Sequence, residues 1–401
     1  MNIFNKTLVA AFLVGGTCVG GGILALPVEA GGIGFFPVIF VLLFSWAFMM
    51  LTGLLYAEAS IWMKSEGAHV VTISKCLLGR GGEIIAILLY LFMGYASLVA
   101  YNSGGAVLIH NFIKSMLDFE LGNVESTIIF AIVFGSILYC GTKILGIVNS
   151  CFVIGLVASY IGMVSIGFSG IKRELLSKMN IGETYSILPL MITSFSFQMI
   201  VPSLALYLNH DAKALKNSII FGTTIPLFAY AIWLFVVLGI VPHDGPHGLE
   251  ESLMQGLAAT ESLKYFSFSS YLVTFAEYFA FFALVTSYLG IALGLYDFLA
   301  DLTGIIKQSY GKFLLGLLVF LPTLCFSIIY KNAFIFALDI TGGFGDSILN
   351  GILPVLMVWI GRYVIGYDNC GLRLFGGKIL LVLIFLCSLL ILVAQTLKFI
   401  L

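Results

Sequence analysis

The sequence is poor in charged residues, and this scarcity limits the kind of protein that it can encode. Only 10% of its 401 residues are charged, whereas soluble domains average about 25%. Its 19 lysines and arginines nearly balance its 20 aspartates and glutamates, and no basic run offers a surface for nucleic acid. With 60% hydrophobic residues and a mean hydropathy of +1.10, the chain is predicted to cross a lipid bilayer several times.

The sequence also lacks the motifs of metal sites, cofactor sites and catalytic centres. Its seven cysteines are scattered without a Cys-x-x-Cys pair, and its five histidines show no metal-ligand spacing. We therefore expect no metal, no cofactor and no catalytic residue. A channel would need a filter motif or a ring of charge, and a membrane enzyme would need a clustered catalytic set. Neither pattern occurs, so a transporter is the favoured interpretation and a channel a remote alternative.

Long apolar runs predict an all-α membrane protein with eleven spanning helices in a single domain over residues 1–401. An odd number of spans puts the termini on opposite sides of the membrane. Twelve of the nineteen lysines and arginines fall on the side of the N-terminus, which predicts a cytoplasmic N-terminus and an external C-terminus. The predicted spans are 7–31, 35–62, 84–112, 126–141, 147–170, 185–208, 217–241, 270–297, 312–329, 334–361 and 379–400.

Two of the predicted spans contain residues that disfavour a helix. The first carries GGTCVGGG at 15–22, and the sixth carries the polar stretch TSFSFQ at 193–198 between Pro189 and Pro202. Glycine and proline cost about 1 and 3 kcal/mol relative to alanine inside a helix. Unwound backbone at membrane depth survives only where protein, water or ligand satisfies its polar groups. These two spans are therefore predicted to be broken at a binding site.

The two breaks take equivalent positions in two halves of the chain. Helices 1–5 (about 7–170) and helices 6–10 (about 185–361) are similar in length, with helix 11 (about 379–400) left over. Paired breaks of this kind are typical of secondary transporters built from inverted repeats. Close helix packing through Gly16 and Gly20 is the alternative, and the second break makes it less favoured.

An unwound first helix would offer amides to a carboxylate and carbonyls to an ammonium group, which predicts a site for an amino acid. Helix 3 would add Tyr95 and Asn102 to this site. Helix 6 would add Phe195 and Phe197, which stack on a ring, and Gln198, which bonds a hydroxyl or an indole N–H. Packing against lipid or protein is the alternative role for each phenylalanine.

Four segments carry a resemblance to a known family: GGTCVGGGILALPVEAGGIGF, TSFSFQMIVPSL, ALVTSYLGIALGLYDFLADL and GILPVLMVW. They resemble the bacterial aromatic amino acid permeases, the tyrosine- and tryptophan-specific transporters of the amino acid–polyamine–organocation superfamily. The resemblance covers the whole chain and implies a LeuT-like fold with a 5+5 inverted repeat. It implies import of tyrosine and/or tryptophan by proton symport across the inner membrane. Histidine is common in this family at the position of Gln198, so the choice among tyrosine, tryptophan and phenylalanine stays open.

The same resemblance implies roles for the residues at the first break. Gly20, Gly21 and Gly22 match the superfamily's glycine break. The amides of Gly21 and Gly22 would hold the substrate carboxylate, and the carbonyl of Cys18 would hold its ammonium group.

Two sets of residues are candidates for binding the coupling ion, one for a sodium ion and one for a proton. The resemblance implies a five-oxygen cation site made of the carbonyls of Gly16, Val19 and Ala283 and the hydroxyls of Thr286 and Ser287. A proton needs a titratable carrier, and helix 5 has no lysine between Ile147 and Gly170. Among the intramembrane acids, Glu277 is the first choice because it lies two turns before Ala283, whereas Glu29 and Glu58 are expected at an interface. The other two acids are Asp339 and Asp346. Sodium coupling and uncoupled exchange remain alternatives.

Overall fold

Helices form all of the regular structure in the part of the chain that the computed structural model describes. The described residues are 3–63, 69–139, 142–306, 308–330, 332–367 and 371–400. The α-helices are α1 (Ile3–Cys18), α2 (Gly22–Ala30), α3 (Phe35–Trp62), α4 (Val70–Leu117), α5 (Asn123–Tyr139), α6 (Thr142–Gly167), α7 (Arg173–Leu176), α8 (Leu188–Ser194), α9 (Val201–Tyr207), α10 (Ala212–Ile240), α11 (Leu249–Gln255), α12 (Ala259–Phe266), α13 (Ser270–Thr303), α14 (Ser309–Ile329), α15 (Ala333–Ile340), α16 (Leu353–Ile360) and α17 (Gly377–Ile400).

Nine helices in these ranges are long and apolar enough to cross a membrane. The pair Phe4–Cys18 and Gly22–Ala30 would form one further, bent span. Asn123–Tyr139 is apolar but has only 17 residues, which is short for a span of about 20. The all-α membrane fold is confirmed, while the count of eleven stays a prediction. The predicted end of the fourth span at 141 lies outside the described residues.

The break predicted in the first span is present between α1 and α2. α1 ends at Cys18, α2 begins at Gly22, and the two helices are bent by 52°. At the bend the Gly20 amide donates to the Cys18 carbonyl, 2.8 Å away, so the α-helical pattern is interrupted. Because glycine stabilises a helix least among residues other than proline, this stretch loses helical hydrogen bonds at low cost.

The break predicted in the sixth span lies between α8 and α9. Phe195 and Phe197 leave the helical conformation, and Gln198–Ile200 form a single 3₁₀ turn. Pro202 stands in the first turn of α9, where the hydrogen bond that proline cannot donate is not required. Both predicted breaks are therefore confirmed.

The tenth span contains an irregular segment that the sequence analysis did not predict. Thr341–Ile352, between α15 and α16, is π-helical, a form that is frequent at functional sites. A Cβ at Gly342 would lie 1.9 Å from the carbonyl oxygen of Pro189, and a Cβ at Gly345 would lie 2.4 Å from Cγ of Met93. The lack of a side chain at these positions lets the segment pack directly against α8 and α4.

Long helices enclose the two breaks. α1 packs along α10, α6 packs along α13, and α4 contacts α13, α15 and the π-helical segment. The fully buried Trp233 of α10 donates from its indole nitrogen to the carbonyl of Ile23, 2.6 Å away, in the first turn of α2. α10 therefore contacts both parts of the broken first span and holds their relative positions.

A buried ion pair joins α3 to the end of the tenth span. Nε and Nη2 of Arg362 donate to the two carboxylate oxygens of Glu58 at 2.6 and 2.5 Å. Both side chains are at most 3% exposed, and the Leu374 amide adds a third donor at 3.3 Å. A cation distant in sequence therefore folds over Glu58 and removes it from solvent, while its expected position at a membrane interface stays a prediction.

Replacement of Arg362 by alanine is expected to destabilise the protein by about 3–5 kcal/mol, because it leaves the Glu58 carboxylate buried without a cation. The measurement is thermal or denaturant unfolding in detergent. Lys75→Ala, which breaks the exposed pair of Lys75 and Glu83, is the control and should cost less than about 1 kcal/mol. Equal losses in the two variants would contradict the assignment of a buried structural pair.

Candidate functional site

Side chains of α4 and α13 cover the unwound segment of the first span. The Gly21 amide donates to the hydroxyl oxygen of Ser287, 3.2 Å away. A Cβ at Gly21 would lie 2.5 Å from Cε1 of Tyr101, and a Cβ at Gly20 would lie 2.9 Å from Oγ of Ser287. Such distances are too short for a real Cβ contact, so only glycine lets the Tyr101 ring and the Ser287 hydroxyl lie against this backbone.

The two breaks meet at a buried hydroxyl of α10. The phenolic oxygen of Tyr230 lies 2.6 Å from the Cys18 carbonyl oxygen at the end of α1 and 2.7 Å from the Ser194 carbonyl oxygen at the end of α8. A phenol has one proton, so it donates to only one of these carbonyls at a time. The other carbonyl keeps its capacity to accept from a different donor.

We define the junction as Cys18, Gly20–Gly22, Ser194 and Tyr230. A Cβ at Gly22 would lie 2.9 Å from Oγ of Ser194, so the two unwound segments are in direct contact. The Phe195 ring packs edge-to-face on Tyr230, with 5.1 Å between the ring centroids. The sequence analysis missed Tyr230, because a single tyrosine in a long apolar helix looks like the many aromatic residues that only pack.

Phe197 and Gln198 face α3 rather than the junction. Nε2 of Gln198 donates to the Met49 carbonyl at 3.1 Å and to the Thr52 hydroxyl at 2.9 Å, and its Oε1 accepts from the Phe197 amide at 2.9 Å. A Cβ at Gly53 would lie 2.3 Å from Cζ of Phe197, so the ring fills the space over that glycine. In this structure the amide group of Gln198 holds the sixth span to α3, and its contact with a substrate stays a prediction.

The two predicted residues of α4 have different surroundings. The Tyr95 hydroxyl donates to the Leu318 carbonyl of α14 at 2.8 Å, so this side chain is directed to α14 and not to the junction. Asn102 is fully buried, and neither polar atom of its amide has a hydrogen-bond partner among the described residues. An unpaired buried amide carries a free-energy cost, so Asn102 stays a binding candidate.

A small cavity lies close to the first break. A cavity of about 10 Å³, room for about one water centre, lies between α4, α13, α15 and the connection of α11 to α12. Leu284 lines this cavity and also stands 3.2 Å from a Cβ position at Gly21, so it separates the cavity from the first break. The side chains of Tyr101 and Leu284 therefore both lie against the backbone of Gly21.

Comparison with known proteins identifies the family. The profile of the tryptophan/tyrosine permease family matches residues 4–395. The chain belongs to this family. Tyrosine-specific transport system 1 of Haemophilus influenzae is 32% identical to the permease over 396 residues, which are 96% of each chain. The tryptophan-specific transport protein of the same organism is 27% identical over 397 residues, covering 96% of the permease and 94% of that protein.

A solved transporter has the same fold as the permease. The crystal structure of MhsT in complex with L-phenylalanine matches with a TM-score of 0.60 at 14% identity and covers 98% of this chain and 97% of that chain. The permease therefore has the expected LeuT-like fold. Membership of a permease family confirms the interpretation as a multi-pass membrane transporter rather than an enzyme, consistent with a bacterial inner membrane.

The predicted cation-binding oxygens of the permease are only partly grouped. The Thr286 hydroxyl donates within α13 and lies 3.3 Å from the Ala283 carbonyl oxygen. Ser287 is engaged by the first break through the Gly21 amide. Gly16 lies on an exposed face of α1, where a Cβ would have no neighbour within 4 Å, and Val19 is half-buried. A sodium role for these residues stays a prediction.

Glu277, the first choice for the proton carrier, does not lie at the junction. Its side chain is 50% exposed, and its Oε1 is 3.1 Å from Nζ of Lys264 in the connection before α13. Burial lowers the pKa of Lys264, but the carboxylates of Glu261 and Glu277 outweigh burial and raise it above its usual range. About 15 Å of helix separate Glu277 from Ser287. Glu277 is therefore half-exposed and paired with a lysine of the α12 connection, and its role as the proton carrier stays a prediction.

Glu29 and Asp339 share one lysine. Nζ of Lys398 lies 2.8 Å from Oε1 of Glu29 and 3.0 Å from Oδ1 of Asp339, and Gln395 donates to Oδ2 of Asp339 at 3.1 Å. Both carboxylates are at most 5% exposed. α17 therefore brings a cation to Glu29 and links α2 to α15, while the expected interfacial position of Glu29 stays a prediction.

Gly21→Ala is expected to lower uptake of labelled tyrosine by about tenfold or more, because overpacking against Tyr101 costs roughly 1–3 kcal/mol at the junction. The measurement is initial uptake by reconstituted vesicles, with thermal unfolding in detergent measured in parallel. Gly290→Ala is the control, because a Cβ at Gly290 of α13 would have no neighbour within 4 Å. Similar uptake in the two variants would contradict the importance of this close approach.

Proposed function

We propose that the permease imports aromatic amino acids, tyrosine and/or tryptophan, across the bacterial inner membrane by proton symport and alternating access. The observation that carries this proposal is the junction of two unwound helix segments, whose backbone groups are covered by movable side chains. Relatives named for tyrosine and tryptophan transport, which match over nearly the whole chain, support the substrate class. In this proposal the N-terminus lies in the cytoplasm and the C-terminus outside, which the distribution of lysine and arginine supports.

Backbone groups of the junction bind the charged groups of the substrate in this proposal. The amides of Gly21 and Gly22, near the start of α2, donate to the carboxylate, which the helix dipole also favours. The carbonyls of Cys18 and Ser194 accept from the ammonium group. In the closed conformation Ser287 and Tyr230 occupy parts of this set. Binding therefore exchanges neutral internal hydrogen bonds for stronger charge-assisted ones.

Aromatic side chains at the junction select the substrate ring. Tyr101 lies against Gly21, and Phe195 packs on Tyr230, so the space next to the unwound backbone is bordered by rings. Edge-to-face and offset-stacked ring pairs contribute about 0.5–1.5 kcal/mol beyond their buried area. A substrate ring that displaces the Tyr101 ring makes contacts of this kind, which an aliphatic side chain does not.

Excess tyrosine, tryptophan or phenylalanine is expected to block uptake of labelled tyrosine, and leucine, glutamine or lysine is not. The reason is that ring contacts add binding free energy only for aromatic side chains. The measurement is uptake by reconstituted vesicles in competition with each of the twenty amino acids. Competition by leucine or glutamine at the same concentrations as tyrosine would refute the aromatic substrate class.

Uptake is expected to respond to an imposed pH gradient in sodium-free buffer. The reason is that the five oxygens predicted to bind sodium are only partly brought together in the structure. Thr286→Ala should therefore leave the gradient-driven uptake within about twofold of the wild type, since it removes only a hydroxyl that donates within its own helix. If uptake appears only when sodium is added, and Thr286→Ala removes it, the transporter is a sodium symporter instead. Exchange of internal for external substrate without response to either ion would indicate an exchanger.

A further inference from the structure

One buried acid of the permease contacts the sixth-span break directly. Asp346 lies in the π-helical segment of the tenth span and is fully buried. Its Oδ1 accepts from the Ser196 hydroxyl at 2.7 Å and from Nδ2 of Asn350 at 2.5 Å. Asn350 also donates to Ser196 Oγ at 3.1 Å, so the three side chains form one network. Ser196 belongs to the unwound stretch between α8 and α9.

The second oxygen of this carboxyl group is free to carry a proton. Oδ2 of Asp346 has no hydrogen-bond partner among the described residues. The Thr193 hydroxyl is adjacent, but its single proton is donated to the Leu338 carbonyl at 3.0 Å. None of the ion pairs between described residues includes Asp346.

The titratable neighbours of Asp346 among the described residues supply no compensating cation. The Cys18 thiol and the Tyr101 hydroxyl lie within electrostatic range of it. On the other elements packed against the segment, Tyr56 of α3 donates to the Leu349 carbonyl. Of the charged groups of α15 and α17, Lys398 pairs with both Asp339 and Glu29, and Lys378 lies over the rings of Trp359 and Tyr363.

Closure of the junction and protonation of Asp346 are linked by desolvation. Burying a carboxylate without a cation is costly, and two donors on one oxygen offset only part of that cost. A protonated carboxyl group carries no net charge, so it is buried more readily. A conformation that closes around the substrate therefore takes up a proton, and a conformation that admits water releases it.

We propose that Asp346 is the group that carries the coupled proton. This inference rests on the proton symport proposed above. On one side of the membrane the Asp346 carboxylate binds one proton at Oδ2 and becomes a neutral acid, and the junction closes with substrate bound. On the other side the O–H bond of the acid breaks and the proton passes to water. Ser196 transmits the change, because its hydroxyl bonds to Asp346 while its backbone belongs to the sixth-span break.

The test compares wild type, Asp346→Asn and Glu277→Gln in sodium-free vesicles. The first measurement is tyrosine accumulation under a gradient of one pH unit, which supports up to about tenfold accumulation for one coupled proton. The second is exchange of labelled external for unlabelled internal tyrosine at equal pH. Asp346→Asn, which mimics the neutral acid, should reach a ratio of internal to external tyrosine of about 1, which is no accumulation. Its rate of exchange should be close to that of the wild type. Glu277→Gln, an equivalent change at the exposed acid, should accumulate as wild type does.

Accumulation by Asp346→Asn equal to that of wild type would overturn the assignment of Asp346 and leave proton symport intact. A wild type that does not respond to the gradient would overturn proton symport and the assignment together. Loss of the response in Glu277→Gln, with the response kept in Asp346→Asn, would assign the proton to Glu277.

Asp346→Asn would neither accumulate nor exchange tyrosine if the variant misfolded or if Asp346 paired with the substrate ammonium group. In that case a second variant, Ser196→Ala, tests the proposal. Removing one donor to the ionised carboxylate disfavours that form. The midpoint of the pH profile of uptake should then move upward by about one pH unit. An unchanged midpoint in Ser196→Ala would overturn the proposal.

Discussion

Backbone amides and carbonyls that leave an α-helix inside a membrane have no water to bond to, and this constraint organises the centre of the permease. Two spans are broken, and each break is satisfied from another helix. The Ser287 hydroxyl oxygen accepts a hydrogen bond from the Gly21 amide. The Tyr230 hydroxyl lies within hydrogen-bond distance of the carbonyls that end α1 and α8. The indole N–H of Trp233 donates a hydrogen bond to the carbonyl of Ile23 at the start of α2. These side chains take the places of the bonds that the proposed zwitterionic substrate would make to the same backbone groups.

The close packing of neighbouring helices against the first break and the tenth span depends on glycines, which have no side chain. The glycines at the first break let the Tyr101 ring and the Ser194 hydroxyl lie on the backbone, and the glycines of the tenth span let it pack on the Pro189 carbonyl. Interiors packed at this density move in discrete steps rather than by gradual deformation. A ring that moves away from Gly21 therefore exposes a whole set of backbone donors and acceptors at once, which suits binding of a substrate with two opposite charges.

The buried acids divide according to their partners. Glu58 has Arg362, and Glu29 and Asp339 have Lys398, so three of them act as fixed links between helices. Asp346 has only neutral donors, one of which belongs to the sixth-span break. A carboxylate with a buried cation of its own, such as Glu58, is held in its charged form, whereas a carboxyl group without a cation changes state when its access to water changes. This contrast separates Glu58 from Asp346, and Glu29 and Asp339 differ from both because they share one lysine.

The amino-acid sequence by itself determined the membrane class, the helical fold and the positions of both breaks, because these depend on local hydropathy and on the helix propensity of glycine and proline. The glycine cluster at 15–22 contains the first interruption, at residues 19–21, and the polar stretch at 193–198 overlaps the second, at residues 195–200. Only the tertiary structure decided which side chains reach the breaks. Helical spacing gives the direction of a side chain from its own axis but not the neighbour on that side. Gln198 therefore faces α3, Tyr95 faces α14 and Glu277 meets a lysine of a connecting helix, while Tyr230 and Asp346, from spans distant in sequence, reach the two breaks.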